Sequence, residues 1–560
     1  MKSFENFNEY IQEAVKSYWH DSSLSDYEGS TLQYKDVACL IEKLHILYEK
    51  ANIKPGDKIA LCGRNSAHWA VAFMSILSYG AVAVPILNDF KANQIHDIVN
   101  HSEAKLLFAG ETISKELDVT QMPHLNGIFS LLDFSIIHTR NLQMSKAYEE
   151  LNKLFGEKYP KAFTPENIHY YIAKPNELAL INYTSGTTSN SKGVMIPHRA
   201  LWSNLLFAEG ALGIKVKHGS KVISILPMAH MYGMMFEFIF EFCTGCHIYY
   251  LGKTPSPQII FKAFSEIKPD IVISVPLIIE KIVRKAVLPK LQSLSTKALL
   301  KVPVIRKKIQ QRIRTALLTA FGNNIYEIII GGAALNSDIE KFLSDIDFPF
   351  TVGYGATECA PIITYVDWNF FRKGSCGQVV PRMELKIDSS DPHNIVGEVL
   401  TRGDNVMLGY YKNPEATAQA LDKDGWYHTG DLGIMDEDGY LYLKGRSKNM
   451  LLGASGQNIY PEEIEDKLNA MPYVNECVII QKGEKLYGLI HPDFDTARKE
   501  GVNENDIPAI MEKNRTTLNT ILPAYERLSG IVLMDSEFEK TPKKSIKRYL
   551  YTDFDITRKQ

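Results

Sequence analysis

Short, uninterrupted apolar runs alternate with amphipathic stretches over the first two-thirds of the chain. The runs "KIALCG", "AVAVPI", "KLLFAG", "KVISILP", "DIVISVP" and "YEIIIGG" are rich in β-branched residues and lack the polar alternation of a half-exposed strand. Continuous apolar strands separated by helical patterns predict parallel sheets covered by helices on both faces. Several runs end in Gly, Pro or Ser, at the carboxyl ends where such folds place ligands. After about Asp388 the pattern changes. "GEVLTRGDNVMLGYY" and "DEDGYLYLKGR" alternate apolar and polar residues around Gly and Asp turns, which predicts antiparallel hairpins. "SGQNIYPEEIEDKLNAMPYV" then predicts a helix opened by Pro461, with Glu462 and Glu463 in its first turn.

The fold class expected is α/β. It comprises a large N-terminal domain (1–445) of parallel and mixed sheets with covering helices and a hairpin-rich subdomain, then a small α+β C-terminal domain (446–560). The boundary is placed near Arg446–Lys448. A length of 560 residues demands more than one core. The uncharged stretch 69–87, "WAVAFMSILSYGAVAVPIL", is long enough to cross a bilayer. Its Ser75, Ser78, Gly80 and Pro85 instead predict a buried helix, a glycine turn and a strand.

Composition narrows the function classes. With 45% hydrophobic and 23% charged residues the chain reads as globular, and a net charge of −3 argues against a nucleic-acid partner. Seven scattered cysteines fit a reducing compartment, and with no apolar signal core at the N-terminus the expected location is the cytoplasm. Cys243 and Cys246 form a CxxC with no second pair near it, which reads as buried thiols rather than a metal site.

The most informative loop is "YTSGTTSNSKGVMIPH", residues 183–198. It gathers Thr184, Ser185, Thr187, Thr188, Ser189 and Ser191 around Gly186, Gly193 and Lys192. Such a cluster of N–H and O–H donors suits phosphate oxygens. It is not a Walker A loop: counted from Gly186, Ser191 stands where that motif needs glycine, and Gly193 where it needs Ser or Thr.

"YTSGTTSNSKGV" resembles the signature of the adenylate-forming superfamily of acyl-CoA synthetases, adenylation domains and luciferases. "GGAAL" at 331–335, "GYGATE" at 353–358, "YHTGDLG" at 427–433 and "KGRSKNMLLGASGQNIYPEEIE" from Lys444 resemble its further motifs, in order. The resemblance runs from about residue 25 to Arg548. It is greatest to bacterial long-chain fatty acyl-CoA synthetases.

The resemblance implies a two-step ligation with ATP, Mg²⁺ and CoA: an acid is adenylated, and a thiol then displaces AMP. It implies that Thr184, Ser185, Gly186, Thr187, Thr188 and Lys192 hold the ATP phosphates. The loops carrying Gly332, Ala333, Tyr354 and Gly355 would flank adenine, with Tyr354 stacked on it. Thr357 would meet the α-phosphate, Glu358 would bind Mg²⁺, and Asp431 and Arg446 would contact the ribose; Arg446 also admits a plain surface ion pair. Lys448 would be the hinge of a mobile C-terminal domain, and the loop holding Gly456 would face the pantetheine tunnel. His230, in "LPMAHMYGMMFEFIFEF" (226–242), would lie near the reacting carboxylate, in a Met- and Phe-rich segment suited to an alkyl chain or simply to the core.

Two basic stretches complete the expectations. Residues 284–322 contain ten Lys or Arg and no acid, which suits an anionic membrane surface or the CoA phosphates, or else a solvated helix. The C-terminal "EKTPKKSIKR" (539–548) resembles the loop carrying the superfamily's adenylation lysine, yet Ser545 stands at that lysine's position. Lys544 or Lys543 is the expected substitute. The function expected is activation of a medium- or long-chain fatty acid to its CoA thioester. Alternatives are loading of an acyl carrier protein, and an adenylation-impaired acyl-binding protein.

Overall fold

All six apolar runs form parallel strands in the computed structural model, which describes residues 4–184, 192–253, 256–286, 303–453, 457–541 and 546–556. Lys58–Cys62, Val82–Ile86 and Leu106–Ala109 lie side by side within an eight-stranded sheet, and the last two are buried along their whole length. Strand Leu178–Thr184 runs parallel to Val82–Ile86, and Lys192–Pro197 returns antiparallel beside it. The 69–87 stretch falls within helix Ala67–Tyr79, a turn at Gly80 and strand Val82–Ile86. Ser66 caps the helix by accepting from the Trp69 N–H, and Gly80 ends it at φ +86°. Among the described residues no helix is long and apolar enough to cross a membrane.

A second layer joins two smaller sheets. Lys221–Ser224, His247–Tyr250 and Ser22–Asp26 are parallel, with Thr31–Gln33 antiparallel at the edge. A bridge between Val222 and Ile271 links them to parallel strands Val272–Ser274, Ile328–Ile330 and Phe350–Val352. The carboxyl ends of three of these strands, Lys221–Ser224, Ile328–Ile330 and Phe350–Val352, lead into the loops at 226–230, 331–335 and 353–358. Sheet topology thus delivers three separate sequence motifs to one edge. The CxxC is buried at the turn into strand His247–Tyr250, and burial raises both thiols well above their ordinary value.

The hairpin region is a four-stranded antiparallel sheet of Met383–Asp388, Gly397–Gly403, Tyr427–Met435 and Leu441–Arg446. One expected hairpin is split. Gly397–Gly403 pairs within this sheet, while Gly409–Tyr410 crosses over to pair with Met195 and Val194 of the eight-stranded sheet. Gly409 permits the crossing at φ +133°, where a Cβ would come within 2.6 Å of the Thr417 methyl.

Residues from Phe7 to Leu441 share one core, and the C-terminal stretch has cores of its own. On strand Val474–Lys482, Cys477 and Ile479 pack to one face while Val478 and Ile480 pack to the other. Helix Pro461–Asn469 opens on Pro461 with Glu462 and Glu463 in its first turn, as the pattern predicts. A large N-terminal domain and a smaller C-terminal domain result.

Candidate active site

A cavity of about 1480 Å³ opens where the strand-end loops, the antiparallel sheet and the C-terminal domain meet. Strand Leu178–Thr184 brings Thr184 to its rim, and the returning strand begins at Lys192, directly across the ladder from Thr184. Between them, Ser185, Gly186, Thr187 and Thr188 lie outside the described residues. The Lys192 ammonium stands 4.7 Å from the centre of the Tyr410 ring, a cation–π contact. The Tyr410 hydroxyl donates to Glu358 Oε1 at 2.9 Å. Lysine, ring and carboxylate therefore form one chain along the rim, and the crossing at Gly409 is what puts the ring there.

Asp431 anchors the opposite wall and is almost fully buried. The Tyr354 hydroxyl donates to its Oδ2 at 2.6 Å, and Arg446 Nε lies 2.6 Å from its Oδ1, across the ladder of the antiparallel sheet. Burial raises the Asp431 carboxyl, while Arg446 and the Tyr354 hydrogen bond pull the other way. The turn before it is fixed: the Asp431 N–H donates to Thr429 Oγ1, Thr429 donates to the Val399 carbonyl, and the Gly430 N–H donates to Glu398. Gly332, Ala333, Gly355 and Thr357 line the same space. At Gly355 a Cβ would lie 2.2 Å from the Pro361 carbonyl, so only glycine fits.

The C-terminal side closes the cavity with Lys448 and Asn449 of the turn Ser447–Asn449 and with Ile546, Arg548, Tyr549 and Thr552. Burial, then Arg446 and Lys192, hold the Lys448 ammonium below its ordinary value. Lys444 pairs with Glu463 at 3.0 Å, and Asn449 donates to Glu462 at 2.6 Å, tying the connecting strand to helix Pro461–Asn469. Gly456, Lys543, Lys544 and Ser545 lie outside the described residues. The charge run around them is partly resolved into pairs. Lys540 meets Glu476 at 2.7 Å, Lys547 meets Glu539 at 3.2 Å, and Arg548 forks onto the buried Glu465. Three of the five cations in "EKTPKKSIKR" are thus matched by acids.

An aromatic arm leaves the polar wall. His230 lines the cavity and receives the Tyr232 N–H on Nδ1. Tyr232, Phe236, Phe207 and Tyr365 follow in a series of steep ring contacts with centroids 6.1, 6.2 and 5.5 Å apart. Within 226–242 only His230, Tyr232 and Phe236 line the cavity, while Met231, Met234, Met235, Phe238, Phe240 and Phe242 are packed in the core. Most of that segment is core, and one side of it is pocket wall. Tyr410, Phe207 and Tyr365 carry no mark in the sequence. Long-range strand pairing and helix packing bring them in, although Tyr410 sits in a "GYY" whose glycine hints at a crossing.

A model of the AMP-binding enzyme family matches residues 11–411, and one of the AMP-binding enzyme C-terminal domain matches residues 448–555. Among curated relatives, long-chain-fatty-acid–CoA ligase FadD15 of Mycobacterium bovis is 27% identical, over 78% of this chain and 73% of its own length. Long-chain-fatty-acid–CoA ligase 1 of Saccharomyces cerevisiae is 26% identical, over 91% and 82%. The putative acyl–CoA ligase YdaB of Bacillus subtilis is 24% identical, over 95% and 93%. Two solved structures share the fold at 19% identity: anthranilate CoA ligase AuaEII with anthranoyl-AMP (TM-score 0.77, 98% of this chain and 97% of that one) and ATP-bound MatB of Rhodopseudomonas palustris (TM-score 0.75, 98% and 99%). The family match takes in Thr184, Lys192, Glu358 and Tyr410 and spans well over half of the sequence: this chain belongs to the AMP-binding enzyme family.

Proposed function

We propose that the protein is a cytoplasmic, ATP-dependent, AMP-forming ligase that converts a fatty acid to its CoA thioester. The carrying observation is that a single cavity joins a rim of Thr184, Lys192, Glu358, Asp431 and Arg446 to an arm of aromatic rings in edge-to-face contact. A polar, charge-matched end suits a nucleotide, and an apolar arm suits an alkyl chain. The names of the relatives, long-chain-fatty-acid–CoA ligases, support the acid and the acceptor.

In the reaction the substrate carboxylate attacks the α-phosphorus of ATP. The bond to pyrophosphate breaks, leaving an acyl-adenylate; a thiolate then attacks the acyl carbon and AMP departs. The first step brings two anions together, so cations fixed at the rim do most of the work. Lys192, with Thr184, Thr187 and Thr188, holds the phosphates, and Thr357 donates to the α-phosphate. Tyr354 lines the adenine slot, and its bond to Asp431 sets the carboxylate that accepts from the ribose hydroxyls, with Arg446 beside it. His230 stands where the arm meets the rim, beside the reacting carboxylate.

Glu358 is the rim carboxylate suited to Mg²⁺. Among the described residues no group of three or more metal-ligating side chains exists. A single hard oxygen donor still fits, because Mg²⁺ takes one or two carboxylates and fills its shell from water and substrate phosphates. Bound there, the ion would offset phosphate charge. Residues 1–445 and 446–560 are the two working domains, with Lys448 as the hinge. Gly445, at φ +148° and packed against Glu462, supports a pivot at this point. The remaining adenylation cation is Lys544, or Lys543.

Helix Pro303–Ala320 turns Leu317 inward and exposes Arg306, Lys307, Lys308 and Arg312. That arrangement supports electrostatic contact with an anionic surface rather than insertion. A pyrophosphate-release assay over acids of graded length, with and without CoA, tests the whole reading. Release with thioester formation is expected. Release without transfer to CoA points to a carrier protein as acceptor, and no release with any acid leaves only an acyl-binding role.

A further inference from the structure

The aromatic arm ends on a polar group that is itself held rigidly. Tyr365, the last residue of strand Ile362–Tyr365, lines the cavity with its ring against Phe207. Its hydroxyl points away from the rim and donates to Glu327 Oε1 at 2.6 Å. Glu327 is fully buried; its second oxygen accepts the Trp368 N–H at 3.3 Å. Lys215 interacts with the same carboxyl group, pairs with Asp367 and stands 4.1 Å from the Tyr326 ring. A ring locked this way is a wall and not a swinging gate. Moving it aside would strip one oxygen of a buried carboxyl group of its hydrogen-bond donor and leave only the longer bond from the Trp368 N–H, which is unfavourable.

Strand Ile328–Ile330, whose Ile329 lines the cavity, supplies a length scale for the arm. Gly331, just past its carboxyl end, lies against Tyr232 near the polar rim, where a Cβ would meet that ring at 3.1 Å. Glu327 precedes its first residue. Four residue steps of extended strand span roughly 13 Å. An extended alkyl chain built of ~1.5 Å bonds advances about 1.3 Å per carbon, so roughly ten carbons fill that distance.

Building on the fatty-acid ligase reading above, we infer that Tyr365, fixed by Glu327, is the floor of the acyl pocket and limits the enzyme to acids of about ten carbons. Tyr365 is a specificity residue that touches the end of the acyl chain. Glu327 is a positioning residue, acting only through the tyrosine hydroxyl.

The test measures kcat/KM for pyrophosphate release with saturated acids from six to eighteen carbons, alongside the melting temperature of each variant. The wild-type should fall steeply beyond about ten carbons. Tyr365→Ala should extend the preference, with each newly accommodated methylene worth about fourfold. Glu327→Leu, which strands the hydroxyl, should blur the limit, and Glu327→Gln, which keeps an acceptor in place, should restore it. Recovery of the limit in the glutamine variant separates positioning from mere support of the fold. Equal use of ten- and sixteen-carbon acids by the wild-type would overturn the inference. So would an unchanged length profile in a folded, active Tyr365→Ala. Release with some acids but no length dependence would sink this proposal alone, whereas no release with any acid would sink the ligase reading and this one together.

Discussion

The polar rim and the aromatic arm of one cavity are held together in opposite ways. Along the rim, each group is fixed by a directional contact at a strand end: Lys192 on Tyr410, Tyr410 on Glu358, Tyr354 and Arg446 on Asp431. Tyr354 and Tyr410 reach into the large core, but the charged groups they hold, Lys192, Glu358, Asp431 and Arg446, are no part of it. Along the arm, Phe207, Tyr232, Phe236 and Tyr365 are themselves part of the large core. The difference means that substituting a charged rim group should cost chemistry and leave the fold alone, whereas an arm substitution should cost both stability and choice of substrate.

The largest effect expected is at the rim. Lys192→Ala should cut pyrophosphate release by roughly 10²–10³-fold, the range for losing one preorganised charge or donor, with an unaltered melting curve. A matching loss of stability would break the distinction. On the arm, Phe236→Ala should lower the stability of the large domain by about 3 kcal/mol through the cavity it leaves. Chemical denaturation measures this, and a variant as stable as the wild-type would contradict the core role. Lys544→Ala should slow adenylation by roughly 10²-fold yet spare thioester formation from supplied acyl-adenylate. Equal effects on both steps, or none, would remove Lys544 from the catalytic list.

The smallest effect is a pH slope. Burial pushes the Glu327 carboxyl from an ordinary 4.5 up to about 7, against the pull of the Tyr365 hydrogen bond and Lys215. Folding therefore favours the protonated form. The contribution to stability is complete below about pH 4.5 and is lost as pH rises through about 7. Glu327→Gln should flatten the fall in melting temperature across that window, and an unchanged slope would show that another group causes it.

The strands were legible from the sequence because each depends on local pattern, whereas Tyr354, Glu358, Asp431 and Arg446 stood out only through the resemblance of their motifs to a family's. A buried parallel strand is a run of apolar residues, and such a run survives as text. The arm was legible only in part. The run 226–242 reads as apolar throughout, and periodicity alone cannot tell Phe236, which faces the cavity, from Phe238, which faces the core. Tyr365 was invisible and Tyr410 was hinted at only by its glycine, because Tyr410 is placed by pairing with strand Lys192–Pro197 and Tyr365 by contacts with Phe207 and Glu327, all far away in the chain. The hairpin at 397–411 failed for the same reason: alternation identified a strand but not its partner. In the basic tail, the sequence identified a charge run, and only the fold assigns Lys540, Lys547 and Arg548 to specific carboxylates.

The most direct test of the central claim follows the α-phosphate. The protein is incubated with ATP labelled at the α-phosphorus, a ten-carbon fatty acid and Mg²⁺, without CoA, and the products are separated. Labelled acyl-adenylate should accumulate on the enzyme and be discharged to AMP and acyl-CoA when CoA is added. Label appearing in ADP, or no acyl-adenylate with any acid tested, would contradict it.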